Sequence, residues 1–282
     1  MQISVLMSVY NGERTLADSV DSILNQSLSD FELIICDDGS HDKTWEILCE
    51  YAEKDSRVKI LRNKRNLGLA ASLNRCIAIS AGKYIARQDD DDRAHPERLE
   101  REIAFLEQHE ELTFVGCWVN EMQHGVHLTV RCLPEFPKLE DFLFTMPFVH
   151  PTLVFRRSAL LLAKGYCEEK RCVLCEDYDL LLQFYHMGCY GGNLSECLLD
   201  YSVDGIRSGR RKFRYRINEA QTRWIHFREC GLLPRALPYV IKPLAVGLLP
   251  TPLRNFCRDW RNSRIERTSY GAADVEHFRD DF

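Results

Sequence analysis

Four consecutive aspartates, Asp89-Asp90-Asp91-Asp92, are the residues of this chain hardest to explain as packing. Gathered at one end of a sheet, their charges repel, and a divalent cation among them relieves that repulsion. Mg2+ and Mn2+ favour carboxylate oxygens and also bind nucleotide phosphates, so metal-assisted chemistry on a phosphorylated ligand is the reading that uses all four charges. The plain alternative is a solvated acidic loop. Two further clusters also follow short apolar runs. Tyr10-Asn11-Gly12 comes after Ile3–Val9, and Asp37-Asp38-Gly39-Ser40 comes after Phe31–Cys36. In open α/β sheets ligands bind at the carboxyl ends of the strands, where a ring, an acidic turn and an acidic cluster would converge.

The elements that must position these groups can be read from hydrophobic spacing. Ile3–Val9, Phe31–Cys36, Val58–Leu61 and Tyr84–Arg87 have strand length. Between them, Leu16, Val20, Ile23 and Leu24 share one helical face, Ile47, Leu48 and Tyr51 mark a second helix, and Leu69, Leu73 and Cys76 a third. This alternation predicts an α/β fold: a Rossmann-like, mostly parallel central sheet with helices on both faces. Pro96 followed by Leu99, Ile103 and Leu106 reads as another helix. Thr113–Val119, Val126–Cys132 and Thr152–Phe155 read as further strands. Tyr178, Leu181, Leu182 and Tyr185 give a helix opened by Glu176-Asp177, acids that suit a helix N-terminus.

The 282 residues, 45% of them hydrophobic, are enough for one sizeable core or two fused halves. The N-terminus has no basic leader, and no run of about 18 apolar residues occurs, so a cytoplasmic protein without a spanning helix is expected. The stretch Leu232–Leu253 is interrupted by Pro234, Pro238, Pro243, Pro250 and Pro252. The 12 cysteines read as free thiols in a reducing compartment. Cys172-x-x-Cys175 lacks the second pair that a zinc site would want. Charge is uneven: Gly205 to Arg267 holds 15 Lys and Arg against 4 acids, leaving the remainder strongly acidic. Arg254, Arg258, Arg261 and Arg264 fall along one helical face beside Phe256 and Trp260. A basic helical tail of this kind predicts peripheral contact with an anionic membrane surface, at the inner face of the cytoplasmic membrane. The alternative is a tail packed on the body with its arginines in solvent. No nucleic-acid partner is expected, because the acidic body would repel it.

In order along residues 1–205, the motifs resemble family 2 glycosyltransferases, nucleotide-sugar enzymes of bacterial cell-surface polysaccharides. Ser4-Val5-Leu6-Met7-Ser8-Val9-Tyr10-Asn11 resembles the family's first strand, and Leu16–Gln26 its first helix. Asp37-Asp38-Gly39-Ser40 with Asp42-Lys43-Thr44 is similar to its acidic turn. Asn66-Leu67-Gly68 and Asn74 follow. Asp89-Asp90-Asp91-Asp92 with Pro96-Glu97-Arg98 comes next, then His150-Pro151 with Arg156, Gly165-Tyr166 and Glu176-Asp177-Tyr178.

The resemblance implies a GT-A fold with residues 1–110 binding the nucleotide-sugar, 111–205 holding the acceptor and the base, and 206–282 forming the basic, proline-interrupted tail. Val9, Tyr10, Asn11, Glu13, Asp38, Asn66, Gly68, Asp89 and Asp90 would contact the nucleotide. Tyr10 would stack on the base, Asp38 would accept from its imide, and Asp89 or Asp90 would hold ribose. A ring and a carboxylate facing an imide N–H make a sensible uracil site, so a UDP-sugar donor is expected. Asp91, with Asp89, would hold Mn2+ or Mg2+ at the diphosphate. Asp177 would be the general base that deprotonates the acceptor hydroxyl of a glycan or lipid-linked glycan, with inversion. His150, Arg156, Glu176 and Arg207 would lie near acceptor or phosphate.

Two departures matter. Where members often carry Y-R-x-H, this chain has Tyr201-Ser202-Val203-Asp204. The Q-x-x-R-W of processive members is one residue short in Gln221-Thr222-Arg223-Trp224, which points to single-sugar addition. A sugar nucleotidyltransferase is the enzymatic alternative, though Tyr10-Asn11-Gly12-Glu13-Arg14 is a poor triphosphate loop. A non-catalytic nucleotide-sugar-binding subunit is the other, and the presence of both the acidic cluster and Asp177 argues against it.

Overall fold

The computed structural model describes residues 2–204 and 212–248. Arg207 and the arginine-rich segment 254–264 lie outside the described residues. The strands are β1 (Ile3–Val9), β2 (Phe31–Asp37), β3 (Val58–Arg62), β4 (Tyr84–Asp89), β5 (Arg93–Ala94), β6 (Leu112–Gln123), β7 (Val126–Arg131), β8 (Val154–Arg156) and β9 (Tyr190–Ser202). The helices are α1 (Leu16–Leu24), α2 (Thr44–Lys54), α3 (Leu69–Ile79), α4 (Arg98–Gln108), α5 (Arg157–Leu162), α6 (Glu176–His186), α7 (Phe213–Glu229) and α8 (Leu237–Leu248). All the strands among the described residues belong to one sheet in the order β3-β2-β1-β4-β8-β6-β9-β5, with β7 paired to β6.

Strands β1 to β4 are parallel neighbours, and β6 and β9 are parallel to each other. Only β5, β7 and β8 run against their partners. Every residue of β1 and β2 is buried, which is why both read as continuous apolar runs. Ile3, Val5, Met7 and Val9 face one core with Leu16, Val20 and Ile23 of α1, Leu48 of α2, and Leu99, Ile103 and Leu106 of α4. Leu6, Ile34 and Ile85 face the other with Leu73 of α3, Leu160 of α5, Leu181 and Phe184 of α6, and Phe227 of α7. Helices therefore cover both faces.

Spacing did not predict the 13-residue strand β9. It opens Tyr190-Gly191-Gly192-Asn193, a poor strand signal. The glycine is a packing requirement, since a Cβ on Gly191 would lie 2.2 Å from the Phe114 ring beneath it.

Candidate active site

Because β1 lies between β2 and β4, in register Val9 to Asp37 and Ser8 to Asp89, the three loop clusters emerge side by side. The first two are zipped together. Asn11 N–H donates to Ser40 Oγ at 2.9 Å, and His41 N–H donates to Asn11 Oδ1 at 2.9 Å. Gly12 N–H donates to Thr44 Oγ1 at 2.9 Å. Glu13 N–H donates to Asp42 at 3.1 Å, while Glu13 Oε2 accepts from Lys43 N–H at 3.1 Å. Asn11 takes the left-handed conformation, φ 55°, that this turn demands. Asn11 and Glu13 thus hold the floor of the site, and Val9, whose carbonyl accepts from Asp38 N–H at 2.8 Å, lies inside the core. Tyr10 keeps 45% of its surface exposed and is available for stacking.

Asp38 is a buried hub. Its Oδ1 accepts from Asn63 Nδ2 at 2.7 Å and Leu67 N–H at 2.8 Å, and its Oδ2 accepts from Gly68 N–H at 2.8 Å. Three of roughly four lone-pair sites of a carboxylate are therefore used to hold the loop between β3 and α3. Gly68 joins the site through its backbone, at φ 94°, and Asn66 is exposed on the same loop. Asn63 escaped the sequence reading; its one signal is its position immediately after β3. A cleft of about 380 Å³ beside this hub is lined by Gly39, Ser40, His41, Arg62, Asn63 and Lys64. Arg62 pairs with the buried Asp37 at 3.1 Å and lies over the Trp45 ring.

The four aspartates divide. Asp92 turns inward, accepting from Ser202 N–H at 2.8 Å, and anchors β9 to the loop. Asp89, Asp90 and Asp91 each bring a carboxylate oxygen within 4.8 Å of the others, a spacing that could hold a divalent cation. Loss of solvent and the charges of Asp89 and Asp91 push Asp90 up to about 7. The same crowding, led by desolvation and then Asp89, pushes Asp91 up to about 6. Such shifts belong to carboxylates that want either protons or a metal. Gly12 makes this approach possible, because a Cβ there would lie 2.5 Å from Asp90 Oδ2. Behind the trio, the buried Arg87 pairs with Asp89. A guanidinium inside a strand, two residues before an acidic run, was the available sequence signal for it.

The second half reaches the same mouth through Tyr166. Its hydroxyl meets His150 Nε2 at 2.9 Å. Burial, then Arg87, holds His150 well below its usual range and keeps it neutral. Burial raises Tyr166, and the charges of Asp177, Asp89 and Glu176 push the same way. Burial also raises Tyr201, with Asp89, Asp92 and Asp177 adding to it. Both tyrosines therefore sit in the field of Asp89 and of Asp177 together. Asn74 of α3 fastens this loop to the first half: its Nδ2 donates to Tyr166 O and its Oδ1 accepts from Tyr166 N–H, both at 2.8 Å. Asp177 lies in the first turn of α6, half-buried, next to a buried Glu176.

Arg156 requires a correction. It pairs with Tyr84, at the opposite end of β4 from Asp89. Its guanidinium donates to Leu112 O at 2.8 Å and Leu106 O at 2.7 Å, tying the last turn of α4 to β6. It is a structural clamp at the end of β4 away from the acidic trio. Within the Cys172-x-x-Cys175 motif, Cys172 Sγ meets Cys167 Sγ at 2.9 Å. Arg223 of the shortened Q-x-R-W segment is buried over the Tyr178 ring and donates to Leu143 O at 2.9 Å.

The model of glycosyl transferase family 2 matches residues 4–161. The chain belongs to this family. A relative, the putative glycosyltransferase EpsE of Bacillus subtilis, is 40% identical over 90% of this chain and 92% of its own length. The O-antigen biosynthesis glycosyltransferase WbnJ of Escherichia coli is 36% identical, over 76% of this chain and 84% of that one. Among solved structures, S. aureus TarS 1-349 in complex with UDP-GlcNAc superposes with a TM-score of 0.69 at 18% identity, covering 86% of this chain and 73% of that chain. At that identity the likeness shows the fold, and it agrees with the expected GT-A architecture. This family 2 chain is accordingly a glycosyltransferase, as the order of its motifs implied.

Proposed function

We propose that this glycosyltransferase transfers one sugar at a time, with inversion, from a UDP-sugar to a hydroxyl of a lipid-linked polysaccharide intermediate. The observation that carries the reading is the clustering of the Asp89, Asp90 and Asp91 carboxylates at the strand ends beside Tyr10 and Asp38, and it is supported by Tyr166 and Tyr201, which feel the charges of both Asp89 and Asp177. Exposed Tyr10 stacks on the base. Asp38, with one acceptor site left, takes the imide N–H, and the Arg62 and Lys64 cleft lies beside it. The UDP-GlcNAc held by TarS and the O-antigen role in WbnJ's name support donor and product class.

The acidic trio fits Mn2+ or Mg2+: three clustered carboxylates, two of them pushed up toward neutrality, form an oxygen-donor set for a hard cation. When bound, such a cation neutralises charge on the departing diphosphate. Asp177 receives the acceptor proton as the hydroxyl oxygen attacks the anomeric carbon. Neutral His150 orients Tyr166 against this pocket.

The test replaces Asp177 with Asn. Donor affinity should stay near native while turnover falls on the order of 10²-fold or more. Loss of donor binding with intact turnover at saturation would assign Asp177 to binding instead.

No described helix is long and apolar enough to cross a membrane. Peripheral attachment to an anionic leaflet would bring Asp177 to a lipid-linked acceptor. It is supported by the basic excess after Gly205 and by exposed Ile217, Trp224 and Ile241 on α7 and α8. Salt-sensitive sedimentation with anionic vesicles, lost on truncation near Gly231, is the expected result; equal sedimentation of both chains removes the membrane reading.

A further inference from the structure

The loop that leads into α6 carries a second chemical cluster. Cys167 is half-buried and Cys172 buried. Cys172 donates its S–H to Cys167 Sγ across 2.9 Å, about 0.9 Å longer than the ~2.05 Å of a disulfide bond. Arg171 Nη2 donates to the same Cys167 sulfur at 3.6 Å and is held there by Asp179 at 2.8 Å and Glu169 at 2.9 Å. Asp179 accepts a second bond from His226 Nε2 at 2.9 Å. The Arg171 guanidinium lies on the outer sulfur, and burial raises the Cys172 thiol directly behind it.

We propose that Cys167 and Cys172 form an oxidisable dithiol, a modification site that closes to a disulfide with peroxide as oxidant. Cys167 thiolate attacks one peroxide oxygen. The O–O bond breaks, the other oxygen leaves as hydroxide and takes a proton to become water, and Cys167 becomes a sulfenic acid. The Cys172 sulfur then attacks the Cys167 sulfur. The S–O bond breaks, and the departing hydroxide leaves as water with the Cys172 proton. Two thiols and one hydrogen peroxide thus give one disulfide and two waters.

Cys167, Cys172 and Asp179 also have the spacing of three metal ligands. Arg171 decides against a cation, because its charge already occupies the space between Asp179 and Cys167.

Closing the bond acts on the transferase site through the backbone. Cys172 O accepts from Cys175 N–H at 2.7 Å, and Cys175 O accepts from Asp179 N–H at 2.9 Å, so Cys172 is one turn from the start of α6. Asn218 of α7 holds the same turn through Lys170 O and Val173 O. Pulling Cys172 toward Cys167 shifts the helix start that carries Asp177. This consequence for turnover rests on Asp177 being the base; the cross-link itself does not.

The experiment treats the full chain with stoichiometric hydrogen peroxide, blocks remaining thiols, and maps peptides. The Cys167–Cys172 link should appear before any other cysteine product. Turnover should fall about tenfold, inside the ~10²-fold that a 1 Å misplacement can cost, and a thiol reductant should restore it. Cys167→Ser should abolish both link and inhibition. Oxidation of other cysteines with no Cys167–Cys172 link overturns the proposal. So does Zn2+ alone shielding both thiols from alkylation in the native chain but not in Asp179→Asn, which would make the cluster a metal site. A mapped link with unchanged turnover removes the coupling to Asp177. If the chain shows no transfer before treatment, the mapping still decides the dithiol while the transferase reading fails separately.

Discussion

Replacing Asp38 by Asn tests whether this carboxylate holds the nucleotide floor as well as reading the base. In the native chain Oδ1 accepts two hydrogen bonds and Oδ2 one, all from buried or half-buried donors. An asparagine can place its oxygen at the Oδ1 position and keep Asn63 and Leu67. Its NH2 then faces the Gly68 N–H, so one charge-assisted bond is lost and two donors confront each other. A bond to a charged group contributes about 1.5–3 kcal/mol, and the mutant should lose that much stability. At ~2–4 °C per kcal/mol for a domain of this size, the melting midpoint should fall by about 3–12 °C. The same change puts an N–H2 where the imide N–H would donate, so UDP affinity should fall together with stability. The assays are thermal unfolding without nucleotide and calorimetric titration with UDP. An unchanged midpoint with lost UDP binding would refute the structural half of the argument, and a lowered midpoint with native UDP affinity would refute the base-reading half.

Other expectations follow from the same geometry. Gly12→Ala drives a methyl toward Asp90 Oδ2 and Val9 Cγ2, each 2.5 Å from the new Cβ, and should abolish Mn2+-induced thermal stabilisation without removing any charge; retained stabilisation would dissociate Asp90 from the metal site. Chelation should silence transfer, and added Mn2+ should restore it; full activity in chelator would remove the metal. Arg156→Ala should lower unfolding stability by about 2–4 kcal/mol with donor and acceptor KM unchanged, and a raised KM would return Arg156 to the site. Burial pushes Glu32 upward, but Lys59 at 2.6 Å, Ser4 at 2.6 Å and the Ala81 N–H at 2.8 Å outweigh it and hold the group below its ordinary 4.5. Its contribution is thus present above pH 4.5 and is lost as pH falls through the folded value, so Glu32→Gln should flatten the acid limb of the stability curve.

Much of this was legible because parallel strands buried on both faces leave long apolar runs, and because ligands gather where such strands end. The strand-end clusters that contain Tyr10, Asp38 and Asp89–Asp92 were therefore visible from spacing, while the individual roles came from the family resemblance. Asp92 was not distinguishable from its neighbours, since only β9 reveals that its carboxylate faces Ser202 rather than solvent. Strand β9 itself was hidden by its glycines, of which Gly191 makes room for Phe114. Arg156 looked functional because it is an arginine in a family motif, yet its partners are carbonyls 44 and 50 residues away in sequence. Asn63 and Arg87 act through contacts with other elements, which local pattern does not encode; Tyr166 lies in a family motif, but its bond to His150 was not legible.

The zipper between the β1 and β2 loops has a kinetic meaning. Five hydrogen bonds tie Asn11, Gly12 and Glu13 to Ser40–Thr44, all made between groups of the chain itself. A floor held by the chain's own hydrogen bonds leaves little conformational entropy to surrender when the donor arrives, so docking approaches that of two rigid bodies. Arrival rates should then vary little among uridine, guanosine and adenosine nucleotides, set by diffusion and orientation. Discrimination among them would be expressed in how long each stays, which stopped-flow displacement of a fluorescent nucleotide reads directly.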